Sequence, residues 1–220
     1  MKSLYLKNSN ENMDNTSTLK SSSKKSALVI NLIGGPGCGK SVTAAQLFVD
    51  LKKKTGLKIE YFQEYVKPLV WRAEDPEHKE RGEEAIEDLN NQRSISNSIY
   101  KLLKVMASQL DVIVTDGSIF HGIYYNQANI YNTSDIKKTE DFIIEKFREF
   151  NNYNVFLERG SIKYEQEGRQ QDYQEALLAD QGLKYHLARF DVKYSIVDAA
   201  SDEAYEKMLQ DILKILGFDK

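Results

Sequence analysis

Residues 27–41, ALVINLIGGPGCGKS, constrain this chain more than any other stretch. Residues 27–33 form a short apolar run with β-branched side chains, long enough for one buried strand. Gly34-Gly35-Pro36-Gly37-Cys38-Gly39-Lys40-Ser41 follows at once and fits G-x-x-x-x-G-K-[ST] at every fixed position. Residues 42–54 then place Ala45, Leu47, Phe48 and Leu51 at helical spacing. Strand, glycine turn and helix in this order are the context in which the pattern becomes a phosphate-binding site.

The chemistry explains the residue types. Nucleotide phosphates are crowded with negative charge and need donors with little bulk around them. Glycines allow φ > 0 and let the backbone N–H groups of Gly35, Gly37, Cys38, Gly39, Lys40, Ser41 and Val42 converge on the phosphates. A helix beginning near Gly39 adds free N–H groups and a partial positive charge. Lys40 reaches the β- and γ-phosphates, and the Ser41 hydroxyl suits Mg²⁺.

Further along, residues 57–62 (LKIEYF) read as a second strand, with Glu64 just past its end. Ligands of open α/β sheets gather at the carboxyl ends of strands, so Glu64 is expected to face the γ-phosphate side of the loop. Residues 66–73 read as a short helix bearing Lys67 and Trp71; Trp71 fits either a pocket or the core. Residues 74–86 (EDPEHKERGEEAI) are charged and read as an exposed connection, and His78 has no metal partner at a useful spacing.

Residues 89–110 carry a helical apolar stripe through Ile95, Ile99, Leu102, Leu103, Met106 and Leu110. Residues 111–116 (DVIVTD) are a third buried strand closing on Asp116, which fits either a turn cap or the acid that holds Mg²⁺ in a phosphate-loop enzyme. Residues 118–129 offer His121, Tyr124 and Tyr125 for a pocket or for packing. Residues 135–150 read as a helix, 153–157 as a fourth strand, 175–190 as a helix, 193–197 as a fifth strand and 202–216 as a closing amphipathic helix. Five strands alternating with helices give an α/β fold, a doubly wound parallel sheet. Between the fourth strand and its helix, residues 159–173 are polar and carry Arg159, Lys163 and Arg169, either a solvated loop or a short lid over the phosphates.

Composition narrows the classes. The 220 residues suit a single domain spanning residues 27–220, preceded by a solvated tail of residues 1–26 rich in Lys, Ser, Asn and Thr. A net charge of −3 supplies no global basic field, which speaks against a nucleic-acid or membrane partner. No apolar run reaches the ~18 residues of a membrane helix, and the first residues lack the apolar segment of a secretion signal. The single cysteine, Cys38, excludes an internal disulfide and fits a reducing cytoplasm. It is either loop filler or a thiol sensitised by the helix N-terminus. A homodimer is the default assembly.

Taken together, the loop GGPGCGKS, Gln63-Glu64-Tyr65-Val66-Lys67, Asn91-Gln92-Arg93, VIVTDGSIF around Asp116 and GRQQDY after residue 167 resemble P-loop kinases of the nicotinamide-riboside-kinase (NadR-like) type, together with related ATP-binding proteins of bacteriophages. The resemblance covers residues 27–216 and implies the P-loop NTPase fold with ATP and Mg²⁺ as cofactors. It implies Glu64 as the general base on the acceptor hydroxyl, Asp116 on Mg²⁺, and Lys67, Gln92 and Arg93 on a nucleoside-like substrate. Arg159 and Arg169 would brace the phosphates, with Arg169 catalytic beside Lys40. Residues 1–26 show no adenylyltransferase domain of the sort fused to bacterial riboside kinases, so the acceptor stays open, as does the choice between Glu64 and Asp116 as the base.

These readings favour a kinase that passes the γ-phosphoryl group of Mg-ATP to a nucleoside, nucleotide or similar small molecule. The alternatives are a P-loop ATPase or GTPase switch and a phage kinase acting on modified bases in DNA. The base-reading motif N-K-x-D of GTPases is absent from the sequence, and the residues after the tail leave little room for the helical lid domain of an AAA-type motor.

Overall fold

The computed structural model describes residues 26–75, 77, 79–165 and 171–218. Residues 1–25 of the proposed tail, His78 and Arg169 lie outside the described residues.

β1 (Leu28–Ile33) is buried at all six positions and runs into the glycine turn, after which α1 (Lys40–Thr55) leads back to β2 (Ile59–Phe62). α2 (Lys67–Ala73), α3 (Lys79–Leu89) and α4 (Gln92–Ala107) precede β3 (Val112–Thr115). α5 (His121–Ala128) and α6 (Ile136–Arg148) lead to β4 (Asn151–Glu158), then α7 (Tyr173–Arg189), β5 (Ser195–Asp198) and α8 (Asp202–Leu216). The five strands pair in parallel in the order β2-β3-β1-β4-β5.

Helices cover both faces, which is why β1 reads as a continuous apolar run rather than an alternating one. Leu28, Ile30 and Leu32 pack with Leu47 and Leu51 of α1 and with Met208, Leu209 and Ile212 of α8. Val29 and Ile33 point the other way, into Ile95, Ile99 and Leu103 of α4, Phe120 and Ile123, Ile143 and Phe147 of α6, and Leu183 and Leu187 of α7. The one polar side chain in β1, Asn31, is buried but satisfied. Its amide donates to Asn152 Oδ1 at 2.9 Å and Asn154 Oδ1 at 3.1 Å, which holds β1 to β4.

Two stretches differ from the sequence expectation. Residues 79–86, read as part of an exposed connection, belong to α3. Its buried positions are Gly82 and Ala85, small residues that let it approach the backbone of α2 at Ala73. A stripe without large apolar side chains carries no hydrophobic period, so the charge dominates the reading. The helix expected over residues 89–110 is broken at Asn90–Asn91, where the Asn91 side chain accepts the Ser94 N–H and starts α4 afresh.

The strand order has one consequence for chemistry. β3 lies between β1 and β2, so the glycine turn, Asp116 and Glu64 emerge side by side at one edge of the sheet.

Candidate active site

Gly39 caps α1 in the left-handed region at φ 87°, a conformation that costs a side-chain-bearing residue dearly. The first backbone bond into the helix is Thr43 N–H to Gly39 carbonyl, leaving the N–H groups of Lys40, Ser41 and Val42 as the free donors of a helix N-terminus. The turn is open: Pro36, Gly37, Gly39 and Lys40 are partly exposed, and Ser41 and Val42 are exposed. Lys40 folds across it and donates from Nζ to the carbonyls of Gly34 at 2.8 Å and Gly35 at 2.7 Å. Cys38 is wholly buried beneath the turn, so it acts as filler and not as a reactive thiol.

Beside the turn, Ser41 Oγ donates to Asp116 Oδ2 at 2.6 Å, and the Tyr61 hydroxyl donates to the same oxygen at 2.8 Å. Asp116 is 2% exposed, yet its Oδ1 has no hydrogen-bond partner among the described residues. A buried carboxylate oxygen left unpaired is costly unless something else meets it. The donor set is a hydroxyl and one carboxylate, the sparse oxygen chemistry with which Mg²⁺ is held when phosphates supply the remaining ligands. Ser41 and Asp116 therefore fit a magnesium ion. Among the described residues there is no larger cluster of His, Cys, Asp and Glu that could hold a metal.

Glu64 sits against this pair through Gly117. A β-carbon at Gly117 would come within 2.7 Å of the Glu64 α-carbon, so only glycine lets the two segments touch. Glu64 is half-buried and borders a cavity of about 540 Å³ lined also by Tyr61, Phe62, Tyr65, Leu69 and Arg72. Its charge reaches two phenols. Burial and then the Glu64 carboxylate raise the pKa of Tyr125, while burial and donation to Asp116 raise that of Tyr61.

Behind the turn, His121 Nε2 accepts the Gly34 N–H at 3.4 Å. Desolvation and the neighbouring Lys40 ammonium push its pKa down to about 3, so the ring is neutral and a second positive charge is kept away from the lysine.

Other expected contacts are placed differently. Arg159, expected on the phosphates, is 9% exposed and spent on the protein: Nε donates to Asp180 Oδ2 at 2.7 Å, Nη1 to the Pro36 carbonyl at 2.6 Å and Nη2 to the Ala176 carbonyl at 3.2 Å. It braces the turn from outside. Arg93, expected on the substrate, lies over the Phe142 ring at 3.7 Å and donates to the Lys138 carbonyl, so it is held by α6. Gln92 is buried against Gly122 and donates to Ser96 Oγ at 3.2 Å. Lys67 is exposed and sits over the Trp71 ring, itself 57% exposed and so neither core nor pocket wall. After β4, the Tyr164 ring lies against Gly37 and Ile162 against Gly39.

Sequence reasoning missed Tyr61 and Asp180. Tyr61 reads as an ordinary strand aromatic. Asp180 left a signal, because it falls on the α7 stripe of Ala176, Leu183 and Leu187, where an acid needs a buried partner.

The structure is similar to that of thymidylate kinase from Ehrlichia chaffeensis, with a TM-score of 0.56 at 15% identity, covering 87% of this chain and 99% of that one. At that identity the likeness speaks for the fold alone, an α/β P-loop kinase-like nucleotide-binding fold. No curated protein matches the sequence. Among the described residues no helix is long and apolar enough to cross a membrane. A family model described as AAA domain matches residues 29–204, and the chain belongs to that family.

Proposed function

We propose that this protein is a phosphotransferase that moves the γ-phosphoryl group of Mg-ATP to a nucleoside-, nucleotide- or similar small-molecule acceptor. The observation that carries the reading is the closure of the Glu64 backbone on Gly117: a residue bearing a carboxylate borders an open cavity and packs on the glycine that follows the acid bonded to the loop serine.

In this reading the free N–H groups of the turn and Lys40 bind the triphosphate, with Lys40 leaving the Gly34 and Gly35 carbonyls for the phosphate oxygens. Ser41 and Asp116 hold the magnesium ion, which when bound offsets the negative charge that builds on the phosphates. Glu64 orients the acceptor hydroxyl and takes its proton. Asp116 is the poorer base, since its Oδ2 is already committed to two donors. The aromatic rings lining the cavity suit a flat base or ring on the acceptor, in keeping with the sequence resemblance to kinases of the nicotinamide-riboside-kinase type.

The test is incubation with γ-labelled ATP and a panel of nucleosides and nucleotides. Label transferred to one acceptor class supports the kinase; free hydrolysis with no acceptor labelled removes it. The family's description as an AAA domain favours a second reading, an ATPase acting as a switch or motor. ATP-dependent assembly into a ring, seen by light scattering, would select that reading.

A further inference from the structure

We propose that Tyr61 is a positioning residue for the divalent cation: its hydroxyl fixes the Asp116 carboxylate so that the unpaired Oδ1 remains available to the metal when Ser41 turns its own oxygen toward it. The inference rests on the phosphotransferase reading above.

Two donors meet at Asp116 Oδ2, Ser41 Oγ at 2.6 Å and Tyr61 OH at 2.8 Å, and none among the described residues meets Oδ1. The donors are not equivalent. Ser41 lies in the exposed first turn of α1, and its lone pairs are what the loop offers a cation. Tyr61 belongs to β2, paired in register with Val114 of β3, and its ring packs against the core formed by α1, α8 and the sheet. A phenol on a paired strand has little freedom to move. When the serine shifts, the tyrosine still holds Oδ2 and with it the rotation of the carboxylate. Tyr61 donates its proton within this bond and does not itself become a ligand of the cation.

This arrangement has a selective consequence. Mg²⁺ demands near-ideal octahedral geometry, whereas Ca²⁺ accepts irregular oxygen sets. A carboxylate loosened by the loss of its outer partner therefore harms Mg²⁺ binding more than Ca²⁺ binding. Outer partners of metal ligands are worth about 10–100-fold in metal affinity.

The experiment is calorimetric titration of the full chain and of Tyr61→Phe with a non-hydrolysable ATP analogue in excess Mg²⁺, in excess Ca²⁺ and in EDTA. Phenylalanine fills the same volume, and the EDTA arm reports whether the loop is intact. The expected result is a roughly 10–100-fold loss of analogue affinity in Mg²⁺, a smaller loss in Ca²⁺ and no more than about a twofold change in EDTA. Equal affinity of the two proteins in Mg²⁺ overturns the proposal, as does an equal loss in all three conditions, which would make Tyr61 a support of the loop instead. If the wild-type chain itself binds the analogue equally in Mg²⁺ and EDTA, the metal-dependent reading fails and this inference fails with it.

Discussion

Asp180 of α7 accepts the backbone N–H of Gly35 at 2.5 Å with one oxygen and the Arg159 Nε at 2.7 Å with the other. Arg159 in turn holds the Pro36 carbonyl. One ion pair, largely shielded from solvent, thus joins the end of β4 and the body of α7 to the glycine turn. It also joins Arg159, at the end of β4, to α7, the next element in the chain. Replacing Asp180 with asparagine leaves the guanidinium without its counter-charge. The expected cost is about 3 kcal/mol of stability, the lower end for breaking a buried pair. Thermal unfolding and nucleotide titration of Asp180→Asn check it; an unchanged melting temperature together with unchanged nucleotide affinity refutes the brace.

Lys40 occupies the turn by donating to the Gly34 and Gly35 carbonyls, and its proposed partners when nucleotide binds are phosphate oxygens. Lys40→Ala removes a charged donor worth about 1.5–3 kcal/mol, so nucleotide affinity falls roughly 10–100-fold and turnover falls with it. Fluorescent-analogue binding measures the first and the coupled assay the second.

Glu64→Gln keeps the shape of the side chain and its place on Gly117 but removes the proposed base. Nucleotide affinity is expected to stay within about twofold while transfer drops by roughly 10²–10⁴-fold. Full activity in this variant would move the role of base to Asp116.

His121 gives a signature in pH. Its unfolded pKa is near 6.5, and the folded value lies at about 3. Between the two, the unfolded chain binds more protons, so the contribution is complete above pH 6.5 and is lost progressively as pH falls toward 3. Gln at this position keeps an acceptor for the Gly34 N–H and cannot titrate there. Melting temperatures taken from pH 7 down to pH 5 should fall less steeply, by about 3 °C or more, in His121→Gln than in the wild type. His186, whose pKa is also lowered by burial, titrates in both proteins and cancels from the comparison.

Arg93 is fastened to Phe142 and the Lys138 carbonyl. Arg93→Ala is therefore expected to cost about 0.5–1 kcal/mol of stability and to leave nucleotide binding and transfer within about twofold of the wild type. A tenfold rise in the acceptor KM would restore Arg93 to the substrate.

The fold was legible because its signals are local. The β1 run, the glycine spacing and the stripes of α4 and α8 each lie within a few residues, and βαβ connections admit few arrangements. α3 escaped because Gly82 and Ala85 bury a helix face without hydrophobic bulk. The start of α4 was read early, at residue 89, because Asn90 and Asn91 interrupt the chain without a proline or glycine.

For the site, the chain alone determined the turn, put Lys40 and Ser41 at the start of α1 and put Asp116 and Glu64 just past strand ends, since spacing within a motif and position at the end of an element are properties of consecutive residues. Which side chains meet across the sheet was decided only by tertiary structure. Strand order set Tyr61 beside Asp116, the return of α7 carried Asp180 to Gly35, and α6 drew Arg93 away from the cleft. The physical reason is that long side chains such as arginine reach in any direction from their backbone, and the partner that claims them comes from a distant part of the chain, where no local period records it.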